Sequence, residues 1–304
     1  MSGGCAVRLA EVRATRRVEL SDLLWGYDDV TGEHIPVDLE EVAARLEANG
    51  QRSGARIARS LPARGGFLDE GAADGLMLRV HCELQRLGEE LQLPRRVAET
   101  LKSWAGPLLL AQPQTPVRVV DVGCGLGYVT RWLAAHQVLG PGVELVGVDL
   151  NSVLTRHASE LARAEGLDCR FVTGDAFAPG VVVDDPARTI MISSGLLHHF
   201  PAEDLQGFFA AQAQLAVAAF AHWDIDPGPW TTAGAWVFHQ ARMREPLSRH
   251  DGVLSARRAH TGQTLLASAR AGAAEYDVSC IDGSRWWPAL SDVLRPVTGT
   301  RATS

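Results

Sequence analysis

Asp121-Val122-Gly123-Cys124-Gly125-Leu126-Gly127-Tyr128 lies between a short apolar run, VRVVDV (117–122), and a helical stretch, Tyr128 to His136. A buried strand that turns through glycines straight into a helix points to an open, doubly wound sheet. Such a sheet holds its ligand at the carboxyl edge of the strands. Gly123 and Gly125 permit positive φ and let a ligand approach the backbone, and the helix that follows opens with free N–H groups.

Outward from this segment the alternation continues. VELVGVDL (143–150) is the next strand, followed by a helix carrying Leu154, His157 and Leu161 that stops near Gly166. CRFVT (169–173), TIMISS (189–194) and AVAAFAHW (216–223) extend the series, and EYDVSC (275–280) with a segment around Val293 to Val297 supplies two more strands. Continuous apolar strands separated by helices predict a parallel sheet covered on both faces. Residues 1 to about 112 read differently, as helices without a clear buried strand. Asp38 caps a helix through Leu39, Val42 and Leu46, with Glu41 placed for a capping box and Gly50 for the stop. A second helix runs through Leu84, Leu87 and Leu91 before Pro94, and a third covers Arg96 to Trp104. Gly65-Gly66 marks a loop, and AQPQTP, ending at Pro116, reads as a linker. The expected division is therefore a helical cap or lid over 1–112 and an α/β domain over 113–304, with a helical insertion around 227–260.

The ligand class follows from two details. A G-x-G-x-x-G dinucleotide fingerprint starting at Gly123 requires glycine at 128, where this chain has Tyr128. Asp121 stands two residues before the first glycine, where a carboxylate repels a pyrophosphate and attracts an ammonium or sulfonium. S-adenosylmethionine (SAM) carries both cations. At the end of the next strand, Asp149, followed by Leu150, is placed to accept from ribose hydroxyls. After the third strand, Asp175 is placed for an adenine amino group, with Ala176 or Phe177 against the ring.

DVGCGLG, VGVDL, GDAF and ISSGLLHHF, in that order, closely resemble the class I SAM-dependent methyltransferases, over roughly 117 to 223. The resemblance implies a mostly parallel seven-stranded sheet in the order 3-2-1-4-5-7-6, with the last strand antiparallel. It also implies SAM as cofactor, S-adenosylhomocysteine as product, and no metal. Asp121, Gly123, Cys124, Gly125 and Gly127 would surround the methionine part, Asp149 and Leu150 the ribose, and Asp175, Ala176 and Phe177 the adenine, with Ser193 and Ser194 completing the cofactor site.

The fourth strand runs into Leu196-Leu197-His198-His199-Phe200, beside the switch point. Either histidine has the neutral-range chemistry to take a proton from an attacking hydroxyl or amine; the alternative is that it caps the next helix or packs beneath the cofactor. After the fifth strand, Trp223, Asp224, Asp226 and Trp230 are candidates for orienting or deprotonating an acceptor, the alternative being a rigid turn with Trp230 buried in the next helix. Trp236, Gln240 and Met243 share a face of that helix and fit plain core packing or a pocket lining. His250 and Tyr27, the latter in the aromatic-acidic patch Trp25 to Asp29, complete the substrate-binding candidates.

Composition narrows the partners. The formal net charge is −7, with 29 basic and 36 acidic residues and no basic stripe, which argues against a nucleic-acid substrate. Five cysteines at irregular spacing, without Cys-x-x-Cys, argue against a disulfide framework or a zinc site. No apolar run approaches a membrane span. The chain reads as a soluble, cytoplasmic enzyme acting on a small molecule, in which a homo-oligomer is neither required nor excluded.

Overall fold

The computed structural model describes residues 18–25, 35–228, 230–280 and 293–301. The chain divides into two compact units. One comprises residues up to 83 together with 227–258, and the other 84–226 together with 259 onward.

The first unit contains α1 (Leu20–Leu24), α2 (Leu39–Ala48), α3 (Arg52–Ser60), the hairpin β1 (Ala63–Arg64) and β2 (Phe67–Leu68), and most of α4 (Glu70–Glu90). It also holds α9 (Thr231–Arg242) and α10 (Pro246–Arg258) from later in the chain. Asp38 caps α2 by accepting from the Glu40 and Glu41 amides, as its position predicts. Gly65-Gly66 is the turn of an exposed hairpin rather than a plain loop. Leu20, Leu24, Leu46, Ala55, Leu76 and Leu247 form this unit's core. Asp251 of α10 accepts from the Leu20 and Ser21 amides, and the buried Arg258 pairs with Asp22 and Glu19. The otherwise short α1 is thus fastened at its N-terminal amides by a carboxylate from the insertion.

The second unit holds α5 (Leu93–Ala111), β3 (Val117–Val122), α6 (Tyr128–His136), β4 (Val143–Asp149), α7 (Ser152–Ala164), β5 (Arg170–Thr173) and β6 (Thr189–Ser194). It continues with α8 (Ala202–Leu215), β7 (Ala219–Ile225), α11 (Gly262–Gly272), β8 (Tyr276–Cys280) and β9 (Leu294–Arg301). The sheet order is β5-β4-β3-β6-β7-β9-β8. Counted within this sheet, that is the expected 3-2-1-4-5-7-6. The first five strands are parallel, and β9 runs antiparallel to both its neighbours.

Alternation along the strands divides the core in two. Val120, Val122, Met191 and Phe220 pack against α8 and α11, whereas Val119, Ile192, Ala221 and Trp223 pack against α5 and α6. Helix α5 is longer than the stretch Arg96 to Trp104 suggests, and it packs on the sheet, not with the helices of a cap. The helix continues through Pro107 to Ala111, and Arg188 donates to the carbonyls of Leu108, Gln112, Thr115 and Pro116. That guanidinium ties the end of α5 to the segment leading into β3.

Candidate active site

The glycine loop turns through backbone conformations that favour glycine. Gly123, Gly125 and Gly127 all have positive φ, at 69°, 56° and 67°. Gly123 and Cys124 both donate to the Val148 carbonyl, at 2.7 and 3.1 Å, which ties the loop to β4. A Cβ on Gly127 would lie 2.1 Å from the Phe171 ring, so glycine is needed there for packing as well as conformation.

Asp149, at the end of β4, accepts from the Gly125 amide through Oδ2 (2.8 Å) and from the Asn151 amide through Oδ1 (2.9 Å). Each oxygen retains a second lone pair. The carboxylate thus links the glycine loop to the start of α7, where Asn151 caps the Val153 and Leu154 amides. Leu150 beside it is exposed.

Asp121 is 3% exposed. Its Oδ2 accepts from the Thr130 hydroxyl of α6 at 3.0 Å, and its Oδ1 has no partner among the described residues. Burial raises its pKa to about 7, with the Asp149 charge adding to the shift and the Thr130 hydrogen bond opposing it. No ion pair to either carboxylate occurs among the described residues. A buried acid with an orphaned oxygen, beside a second acid at the glycine loop, suits a cationic ligand. The donor set and backbone therefore fit the cofactor the motifs imply.

Asp175 accepts the Phe177 amide at 2.9 Å. The Phe177 ring turns into the core, edge-on to Phe200 and Phe208 at 4.8 and 5.8 Å, while Ala176 is half-buried beside it. Ser193 is likewise committed inward: its hydroxyl donates to His222 Nδ1 at 2.9 Å, and His222 Nε2 donates to Gln212 Oε1 at 3.0 Å. Burial pushes the His222 pKa down to about 3, so this ring stays neutral. Ser194 is half-buried, and the following Gly195 donates to the Trp223 carbonyl.

His198 occupies a short 3₁₀ turn, Leu197–His199, after β6. Its Nδ1 donates to Asp224 Oδ1 at 2.7 Å, and its backbone amide donates to Asp224 Oδ2 at 2.7 Å. Because a carboxylate only accepts, the neutral ring carries its proton on Nδ1, and Nε2 is then its accepting nitrogen. Burial acts to raise the Asp224 carboxyl, but the His198 ring and the amides of Ile225 and His198 hold it below its ordinary value. His199 stacks obliquely on His198, ring centres 4.3 Å apart.

Other candidates fall elsewhere. Trp223 does not face a ligand: it is 1% exposed and packs with Ile192 and Leu294, because odd-numbered positions of β7 point to the α5 side of the sheet. Asp226 pairs with Arg295 at 3.0 Å. Trp230, before the first turn of α9, is 81% exposed instead of buried, and Trp236 is 57% exposed while Met243 is buried, so these positions do not form one core stripe. His250 is held within the first unit, where its Nδ1 donates to Asp251 at 2.7 Å. Tyr27 lies outside the described residues.

Thr130, Asn151 and Gln212 escaped sequence reasoning. Asn151 had a legible signal, a capping residue before a helical run. Thr130 and Gln212 had none, since their partners are nine and ten positions away in other elements.

Residues 119–217 match a family described as a methyltransferase domain. Two curated relatives are both named ribosomal RNA small subunit methyltransferase C. The one from Alcanivorax borkumensis is 42% identical over 65 residues, covering 21% of this chain and 18% of its own. The one from Salmonella arizonae is 25% identical over 202 residues, covering 66% and 52%. The chain thus spans about half or less of the length of these relatives. Among solved structures, magnesium protoporphyrin IX methyltransferase from Synechocystis PCC 6803, with bound S-adenosylhomocysteine, is 16% identical. That match covers 87% of this chain and 100% of the other, with a TM-score of 0.43. A SAM-dependent methyltransferase from Aquifex aeolicus is 11% identical, covering 70% and 98%, with a TM-score of 0.44.

Proposed function

We propose that this chain, which carries a class I methyltransferase domain, moves a methyl group from SAM to an oxygen, nitrogen or electron-rich carbon of a small molecule. The carrying observation is the pair of acids, Asp121 and Asp149, at a glycine loop and without a basic partner among the described residues. A dinucleotide would bring its pyrophosphate against the Asp149 carboxylate and a buried acid that it would keep from ionising, whereas a sulfonium and an ammonium would be attracted.

Residue roles follow from position. Asp121 and the backbone of Gly123, Cys124, Gly125 and Gly127 hold the methionine part. Asp149 holds the ribose through its remaining lone pairs, with Leu150 beside it, and Asp175 and Ala176 hold the adenine. Phe177, Ser193 and Ser194 act behind the site: Phe177 as core support, Ser193 through His222, and Ser194 at the end of β6.

Bound SAM supplies an already activated methyl group, so the protein's part is mainly to align the acceptor and remove its proton. His198 takes that proton on Nε2, and Asp224 stabilises the resulting imidazolium. Asp226 is neutralised by Arg295 and serves to shape the strand end.

A second reading, methyl transfer to RNA, is suggested by the names of the two curated relatives. The net charge of −7 favours a small acceptor, because binding a polyanion requires clustered cations. Incubation with methyl-labelled SAM, against a metabolite extract in one arm and ribosomal RNA in the other, tests both. Label is expected in the small-molecule fraction. Label in RNA would replace the acceptor assignment, and failure to bind SAM would remove the cofactor assignment itself.

A further inference from the structure

We infer that Thr130 is a positioning residue for the cofactor, holding Asp121 so that uptake of a cationic ligand expels one proton from that carboxyl. The inference rests on SAM being the cofactor and adds a proton to its binding equation. The step balances simply: a neutral acid and a cation become a carboxylate–cation pair, and the proton passes to solvent.

The geometry carries this. Asp121 and Val119 alternate onto the face of β3 covered by α6, so the carboxyl is enclosed between the sheet and that helix. Across the sheet it meets Gly147 of β4 and Ile192 of β6, neither of which can neutralise it. From α6 comes the Thr130 hydroxyl, which donates to Oδ2. From the loop comes the Cys124 thiol, which burial and the neighbouring acids keep protonated. From the end of β4 comes Asp149, whose charge repels a second carboxylate. Oδ1 has no hydrogen-bond donor among the described residues.

Every one of these surroundings except Thr130 favours the neutral acid, and the carboxyl's pKa is accordingly raised to about 7. A cation at the loop reverses the balance, because the attraction is strong where water is excluded. By linkage, a ligand that needs the ionised form binds more weakly as pH falls below the free site's pKa. Affinity for SAM is expected to be about tenfold weaker at pH 6 than at pH 8.

Titration calorimetry of the full chain with SAM at pH 6.5, in two buffers of different ionisation enthalpy, reads the proton directly. Release of most of one proton is expected, falling toward zero by pH 8.5. Asp121→Asn, which has no proton to lose, should release none. Thr130→Val removes the one neighbour among the described residues that favours the ionised form, so its release should persist to higher pH, by about half to one unit. Thr130→Ser should restore the wild-type profile.

SAM binding without proton release at pH 6.5 would overturn the inference and leave the cofactor assignment standing. So would an unmoved profile in folded Thr130→Val, or release that survives Asp121→Asn. Absence of SAM binding by the wild-type chain would instead sink both. Should Thr130→Val fail to fold, the two-buffer comparison on the wild-type chain still decides.

Discussion

Asp121 places function and stability in opposition. Its carboxyl is bound to a proton more firmly in the folded chain, with a pKa near 7, than in an unfolded one, near 3.8. The stability contributed by that proton is complete below the unfolded value and is lost as pH rises through about 7. Asp121→Asn is therefore expected to stabilise the ligand-free protein at pH 8 by a few kcal/mol, on the order of the shift itself, and to change little at pH 4. Melting curves at the two pH values check this; equal effects at both would contradict it. The same variant should bind SAM poorly, an activity lost for stability gained. His198 belongs to this scale too. His198→Asn is expected to lower kcat by about 10²- to 10⁴-fold with little effect on the SAM KM, as for loss of a general base. Asp224→Asn should cost less, because an amide oxygen in the place of Oδ1 can still accept from the Ile225 amide and the His198 Nδ1. If His198→Asn retained full turnover over the whole pH profile, the ring would be only a packing group.

At the scale of elements, the junction between β3 and α6 is where backbone and packing constraints coincide. Gly127 combines a φ of 67° with a Phe171 ring occupying the space a methyl would need. Gly127→Ala is expected to cost roughly 2–4 kcal/mol, summing left-handed strain and overpacking. Urea unfolding measures the loss. Phe171→Leu in the same background should recover part of it by relieving the clash, whereas strain alone would not be recovered. Much at this scale is legible in the linear sequence: β3, α6 and β6 begin and end where their apolar periods say. The end of α5 is not, and the residue that binds it, Arg188, comes some eighty positions later in the chain.

For the whole molecule, the order of strands brings the ends of β3, β4, β6 and β7 to one edge of the sheet. That collects Asp121, Asp149, His198 and Asp224 from positions about a hundred residues apart. Net charge is a property of this scale as well. With 36 acidic against 29 basic residues, the protein is expected to show no salt-dependent retention of ribosomal RNA at about 0.1 M salt. Tight retention that weakens steeply with added salt would restore RNA as the acceptor. Among the described residues no helix is long and apolar enough to cross a membrane.

Periodicity and glycine placement, both local properties of the chain, determined the doubly wound sheet and the loop that its ligand would meet. They work because strand and helix impose repeats of two and 3.6 residues on any sequence that must bury one face. Which side chains remain available at the site was decided only in three dimensions. Trp223 and Phe177 turned inward with the alternation and ring packing of their surroundings, Ser193 was claimed by His222, and His198 was singled out from His199 by Asp224. A side chain's partner depends on which elements the fold brings alongside, and no local pattern encodes the approach of residues that lie far apart in the chain.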